Sequence, residues 1–256
     1  MVLRARVVPC LDVRDGRVVK GVRFRDLQDR GDPAELAAAY EAQGADEIVV
    51  LDVSATGEER LAGLETVRAV RARIGIPLTV GGGVRSFEDA RRLLESGADR
   101  VAANTAAFGN AGLIADIAAK LGAQCAVLAL DAAETEESAC PSGYEVVTGS
   151  GTRRTGVDTV AWAREAEARG AGEILLTSLD RDGTRDGYDL RLLAVVREAV
   201  RVPIVASGGA STPEHMADAL AAGADAVLAA SVFHEGEWTV GALKTRLADL
   251  GARVRP

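Results

Sequence analysis

The chain has 256 residues, 48% of them hydrophobic, which is enough for one sizeable core and predicts a single domain over 1–256. A net charge of −8 and a pI near 5.0 disfavour nucleic acid or an anionic membrane as the main partner, but leave room for a local basic pocket. The three cysteines, Cys10, Cys125 and Cys140, lack a repeated short spacing, which argues against a disulfide framework and a zinc site. Cys10 and Cys125 lie in apolar runs and read as small core residues. The start of the chain has no signal-peptide pattern and no apolar run is long enough to span a bilayer, so a reducing cytoplasm is the expected location.

Eight short apolar, β-branched runs follow one another: VVPCLDV (7–13), EIVVLDV (47–53), PLTVGGG (77–83), RVAAN (100–104), CAVLALD (125–131), EILLTSLD (173–180), PIVASGG (203–209) and AVLAAS (226–231). Stretches of helical periodicity separate most of them, such as PAELAAAYEAQ (33–43), FEDARRLLESG (87–97) and PEHMADALAAG (213–223). Several of these end in glycine, the usual helix stop. Strand–helix alternation of this kind predicts parallel βα units. At this length it predicts a (β/α)8 barrel, with an open doubly wound sheet as the alternative.

The chain also repeats itself. GADEIVVLDV (44–53) resembles GAGEILLTSL (170–179), and GADRVAANTAAF (97–108) resembles GADAVLAASVFH (223–234), both 126 positions apart. Two half-barrels, about 1–122 and 123–256, are expected. Asp12 ends the first run of one half and Asp131 the first run of the other. A barrel with this two-fold repeat puts them on opposite sides of one mouth, at the strand ends where such barrels do chemistry.

The glycine-rich turns VGGG and SGGA, with NTAA and AASVF, repeat in the same way. Successive N–H groups at such turns can cradle phosphate. The doubling predicts two phosphate sites and a long substrate phosphorylated at each end. Gly83, Asn104 and Thr105 are candidates for the first site. Asp182, Gly183, Gly209, Ala230 and Ser231 are candidates for the second, with Asp182 accepting from a hydroxyl or holding its loop. The two histidines, His215 and His234, fall outside the strand ends and read as structural or surface residues. No His- or Cys-rich cluster points to a catalytic metal, and no GxSxG or Cys–His pattern to a covalent nucleophile. Two carboxylates remain, and they can divide acid and base work if their surroundings separate their pKa values. Asp12 and Asp131 are that pair. Lys20, in the charged loop from Gly16 to Asp32 after the first strand, either folds over the site or is a solvated lysine, and the loop is a candidate lid. The acidic segment from Ala132 to Thr155 reads as a surface loop.

VPCLDVRDGRVVKGVRF, LTVGGGVRS, ANTAAF, EILLTSLDRDGTRDGYD, VASGGA and AASVFH together resemble the cyclase subunit of imidazole glycerol phosphate synthase, of histidine biosynthesis. The resemblance runs nearly end to end. It implies a barrel without metal or organic cofactor. The implied substrate is a phosphoribulosyl formimino aminoimidazole carboxamide ribotide with a phosphate at each end. It implies that Asp12 and Asp131 are catalytic, and that Lys20 belongs to a mobile loop. It also implies a glutaminase subunit at the N-terminal end of the barrel, sending ammonia through the interior past a salt-bridged ring. Arg6, Glu47, Arg100 and Glu173 stand at the strand starts where that ring is expected, with Arg100 where lysine is common; ordinary strand-end ion pairs are the other reading. Two rivals remain at this stage. One is the sister isomerase of the same pathway, which needs no ammonia. The other is a barrel that only binds a bisphosphate or scaffolds a partner.

Overall fold

The computed structural model describes residues 4–22, 25–58 and 60–255, the side chains of 20–22 and 25–27 excepted. The strands are β1 (Arg6–Arg14), β2 (Arg17–Val22), β3 (Arg25–Gly31), β4 (Ile48–Asp52), β5 (Leu78–Gly81), β6 (Arg100–Ala103), β7 (Ala126–Glu134), β8 (Tyr144–Thr148), β9 (Arg153–Asp158), β10 (Glu173–Ser178), β11 (Ile204–Ser207) and β12 (Ala226–Ala229). The helices are α1 (Pro33–Ala42), α2 (Leu64–Arg71), α3 (Phe87–Glu95), α4 (Thr105–Gly109), α5 (Gly112–Leu121), α6 (Thr159–Ala168), α7 (Leu190–Ala199), α8 (Pro213–Ala221), α9 (Ser231–His234) and α10 (Val240–Asp249).

Among the described residues, β1, β4, β5, β6, β7, β10, β11 and β12 pair in parallel in that order, and β12 pairs back on to β1. The sheet is therefore a closed eight-stranded (β/α)8 barrel rather than an open one. β1 and β7 stand four strands apart in either direction around it. The helices sit outside because each strand must be followed by a right-handed crossover before the next parallel strand. Their starts are set locally. Ser86 and Asp89 form a reciprocal capping box on α3, and Asp32, Asp158, Asp189, Thr212 and Thr239 cap other helices with their side chains.

Two apolar layers result from the strand alternation. Residues pointing outward, such as Val7, Leu11, Ile48, Leu128 and Ile174, pack under the helices. Residues pointing inward, including Val8, Cys10, Val49, Ala102, Val127, Leu175, Val205 and Leu228, fill the barrel interior. The same period-two alternation carries Arg6, Val8, Cys10 and Asp12 up the inside of one strand. It turns their charged ends to opposite mouths.

Three expectations are corrected. The segment from Gly16 to Asp32 contains an antiparallel hairpin, β2 with β3, built on the end of β1 through Val13 and Val18. The segment from Ala132 to Thr155 is not a surface loop: β7 runs to Glu134 and pairs antiparallel with β8, whose residues Tyr144–Thr148 are all buried. Both acids thus lie inside longer strands, at the step where the parallel ladder gives way to a hairpin. Cys125 closes a 3-10 turn, Ala123–Cys125, ahead of β7, and is only half-buried.

Candidate active site

A cavity of about 690 Å3 opens at the C-terminal ends of the barrel strands. Asp12, Gly83, Asn104, Thr105, Asp131, Asp182, Gly183, Gly209, Ala230 and Ser231 all line it. Lys20 lies on β2 opposite Gln28, and its side chain is outside the described residues. His215 and His234 stand away from the cavity wall, as expected. His215 Nδ1 lies 3.2 Å from the Ser211 hydroxyl, and His234 Nδ1 lies 2.6 Å from the Tyr40 hydroxyl.

Asp131 sits on β7 facing inward, where Asn104 Nδ2 donates to its Oδ2 at 2.9 Å. Burial, reinforced by the charge of Asp182, pushes its carboxyl up to about 7, against hydrogen bonds from Asn104 and Thr177 that favour the ionised form. Such a group exchanges a proton readily near neutral pH. Asp12 faces it from β1, buried, with the Cys10 Sγ 3.5 Å from its Oδ1. Asp182, which looks out of place beside a phosphate, acts on the ionisation of Asp131.

The two glycine clusters match in detail. Asn104 and Ala230 precede α4 and α9 at φ/ψ of −115/−88 and −121/−70, and neither provides a side-chain cap. The leading residues of both short helices, Thr105 and Ser231, line the cavity, and a helix's first N–H groups have no intrahelical acceptor. The glycines serve packing as well. A Cβ on Gly83 would stand 1.8 Å from the Arg60 carbonyl oxygen, and one on Gly209 would stand 2.2 Å from that of Gly187. The glycine signal in the sequence thus reports loops pressed together as much as open N–H groups.

Groups with no sequence signal complete the wall. The hairpin of buried β8 and largely exposed β9 packs its tip on the first cluster: the Gly149 N–H donates to Thr105 Oγ1 at 2.9 Å, and Asn104 Nδ2 reaches the Val147 carbonyl at 3.3 Å. Ser150, at φ +54, lines the cavity there. Thr177 lies two residues beyond the inward-facing Leu175 on β10, so alternation alone could have found it. Arg30, Arg85 and Arg185 supply the positive charge of the rim, and they come from three separate places, the end of β3 and the loops after β5 and β10.

At the other end of the interior, Arg6, Glu47, Arg100 and Glu173 meet. Arg6 donates to Glu47 at 2.7 Å and to Glu173. Arg100 reaches Glu47 at 2.6 Å and Glu173 at 3.6 Å. Thr79 Oγ1 donates to the second oxygen of Glu47 at 2.6 Å. Burial holds the Glu173 carboxyl above the usual carboxylate range despite the pull of Arg6. The four side chains close one ring around the barrel axis, with the apolar layer between it and the carboxylate pair.

No helix among the described residues is long and apolar enough to cross a membrane. The family model described as histidine biosynthesis protein matches residues 6–239. The chain is 56% identical over 253 residues to imidazole glycerol phosphate synthase subunit HisF of Clavibacter michiganensis subsp. michiganensis, covering 99% of this chain and 95% of that one. It is 55% identical over 256 residues to the subunit of the same name from Micrococcus luteus, covering all of both chains. It is 53% identical over 257 residues to that of Corynebacterium diphtheriae, again covering all of both. With the barrel and this extent of similarity together, the chain belongs to the HisF family, the cyclase subunits of imidazole glycerol phosphate synthase in histidine biosynthesis.

Proposed function

We propose that this chain uses ammonia to convert a phosphoribulosyl formimino aminoimidazole carboxamide ribotide into imidazole glycerol phosphate and aminoimidazole carboxamide ribotide. Asp131 is the general acid and Asp12 its partner base. The observation that carries this is Asp131, a carboxyl pushed up to about 7 across one cavity from Asp12, between two cradles of helix-start N–H groups. The cradles at Thr105 and Ser231 hold the two phosphates and stretch the substrate between the acids. Ammonia attacks the ribulose keto carbon; the carbonyl oxygen leaves as water after protonation, for which Asp131 has the right affinity. Asp12 then accepts a proton during ring closure, and cleavage of the carbon–nitrogen bond releases the ribotide. Lys20 neutralises anionic substrate from the hairpin.

The ammonia comes from a glutaminase subunit seated on the N-terminal end of the barrel. It passes the ring of Arg6, Glu47, Arg100 and Glu173 and the apolar layer above it. Ammonia, small and uncharged, crosses such a layer far more easily than ammonium, because the ion would be stripped of its hydration.

The test is to incubate the purified chain alone with the formimino ribulotide and an ammonium salt at mildly alkaline pH, and to separate the products. Ammonium-dependent formation of imidazole glycerol phosphate is expected. Asp12→Asn and Asp131→Asn should each cut turnover at least about a hundredfold while the fold survives. An active double variant, or conversion only of the aminoaldose precursor, overturns the reading.

A further inference from the structure

The two phosphate clusters are near copies in backbone, but not in their cations. Two residues after Gly83 stands Arg85, exposed on the cavity wall; two residues after Gly209 stands Ser211. Ser211 donates its hydroxyl to the Arg185 carbonyl at 2.7 Å. Arg185 itself is left-handed, at φ +68, a conformation a non-glycine residue keeps only where its surroundings hold it. Held this way, its guanidinium lines the cavity. There it donates to Glu235 at 2.9 Å and also to Glu237.

Glu235 follows α9 directly, and its N–H donates to the Ser231 carbonyl at 2.9 Å. It is therefore one turn from the N–H groups of the second cluster, and it lines the same cavity. Arg30, near the end of β3, reaches the same carboxylate at 3.6 Å. Its Nη2 donates to Gln28 at 3.2 Å, while its Nε is buried with no partner among the described residues. Two guanidiniums, one from the end of β3 and one from the loop after β10, thus share one carboxylate at the edge of the cavity. Ion pairs this exposed add little stability, so support of the fold does not account for them. A phosphate, with more charge and more acceptor oxygens than one carboxylate, takes planar guanidinium donors in pairs.

We propose that Arg185 and Arg30 are the phosphate-binding cations of the second cluster, and that Glu235 is their resting counter-ion, exchanged for phosphate on binding. The inference rests on the doubly phosphorylated substrate argued above and names the groups that hold one end of it. Because Arg30 belongs to the β2–β3 hairpin and Arg185 to the loop after β10, phosphate at this end ties the base of the hairpin to the far side of the mouth.

The experiment is calorimetric titration of the full chain with inorganic phosphate, in an Arg85→Gln background so that the first cluster contributes less. Arg185→Asn, which tolerates the left-handed backbone, should weaken binding about tenfold, the worth of one charge-assisted hydrogen bond. Arg30→Gln should weaken it too, and the double variant should lose less than the sum, since both act on one anion. Glu235→Gln should tighten it about threefold by removing the competing charge, about half a decade in affinity. Unchanged affinity in Arg185→Asn, or weaker binding in Glu235→Gln, overturns the assignment. If the affinities follow the expected order but no imidazole glycerol phosphate forms, the cations stand and the reaction reading falls. If turnover is normal and the affinities do not move, the cations alone fall.

Discussion

Asp131 holds its proton because its surroundings make the charged form costly, and that cost has two separable sources, burial and Asp182. Asp182→Asn removes the like charge, so the Asp131 carboxyl should titrate lower than about 7. With Asp131 as the acid, the alkaline limb of kcat should then move to lower pH, measured at a fixed concentration of free ammonia. An unshifted limb would separate Asp131 from that limb. The same cost sets a stability test. Between the unfolded carboxylate value near 4 and about 7, the folded chain holds more protons than the unfolded one, so stability falls as pH rises through this window. Asp131→Asn cannot ionise and should lose that slope. Its melting temperature should match the parent's at about pH 4 and exceed it at pH 8 by several degrees, equivalent to at most about 4 kcal/mol. The acid pair itself was legible in the sequence, since a carboxylate at the end of an apolar run occurs at matched places in both halves. The role of Asp182 was not, because it depends on how far the loop after β10 leans over the mouth.

The elements around the mouth divide in the same way. The eight barrel strands announce themselves as apolar runs because both of their faces are buried. The β2–β3 hairpin does not, since RVVKGV and RDLQDRG carry charge on six of their thirteen positions and the residues between them, Arg23 and Phe24, are no Asn-Gly or Asp-Gly pair. The β8–β9 hairpin is hidden by the acidic stretch before it, although its own Tyr144–Thr148 is wholly buried. The rim arginines escape notice because Arg30, Arg185 and Glu235 are far apart in sequence and meet only in the fold. Glycines are legible as a pattern but ambiguous in cause. Gly16, at φ +74, has nothing near an added Cβ, whereas Gly83, at φ +64, would drive one into the Arg60 backbone at 1.8 Å. Gly16→Ala should therefore cost about 1 kcal/mol from backbone conformation alone. Gly83→Ala should cost at least about 2 kcal/mol, because a neighbouring main chain must also move. Urea unfolding compares them, and equal losses would mean that the loop after β4 yields freely and that Gly83 is there for its N–H.

Taken as a whole the barrel is layered along its axis: a charged ring below, an apolar filling, and the carboxylate pair above. The ring breaks the two-fold repeat. Glu47 and Glu173 are matched positions of the two halves, but the matching position for Arg100 is Ala226, and both arginines come from the first half. Two carboxylates and two guanidiniums balance, which fits a plug over an uncharged passage better than a binding site for an ion. Glu47 is the shared acceptor of this ring, 2% exposed and bonded to Arg6, Arg100 and Thr79. Glu47→Gln keeps its shape and its bond to Thr79 but loosens both arginines. Removing one partner of a buried pair can cost about 3–5 kcal/mol, less here because the amide oxygen still accepts; a melting curve checks that the fold persists. Turnover with added ammonium salt, which enters from the open mouth, should stay within about threefold of the parent, because the ring lies a full barrel length from the acids. Turnover driven by glutamine through the glutaminase subunit should fall about tenfold, equivalent to about 1.4 kcal/mol of barrier. Equal loss in the two assays would mean that the ring holds the barrel together and governs no passage.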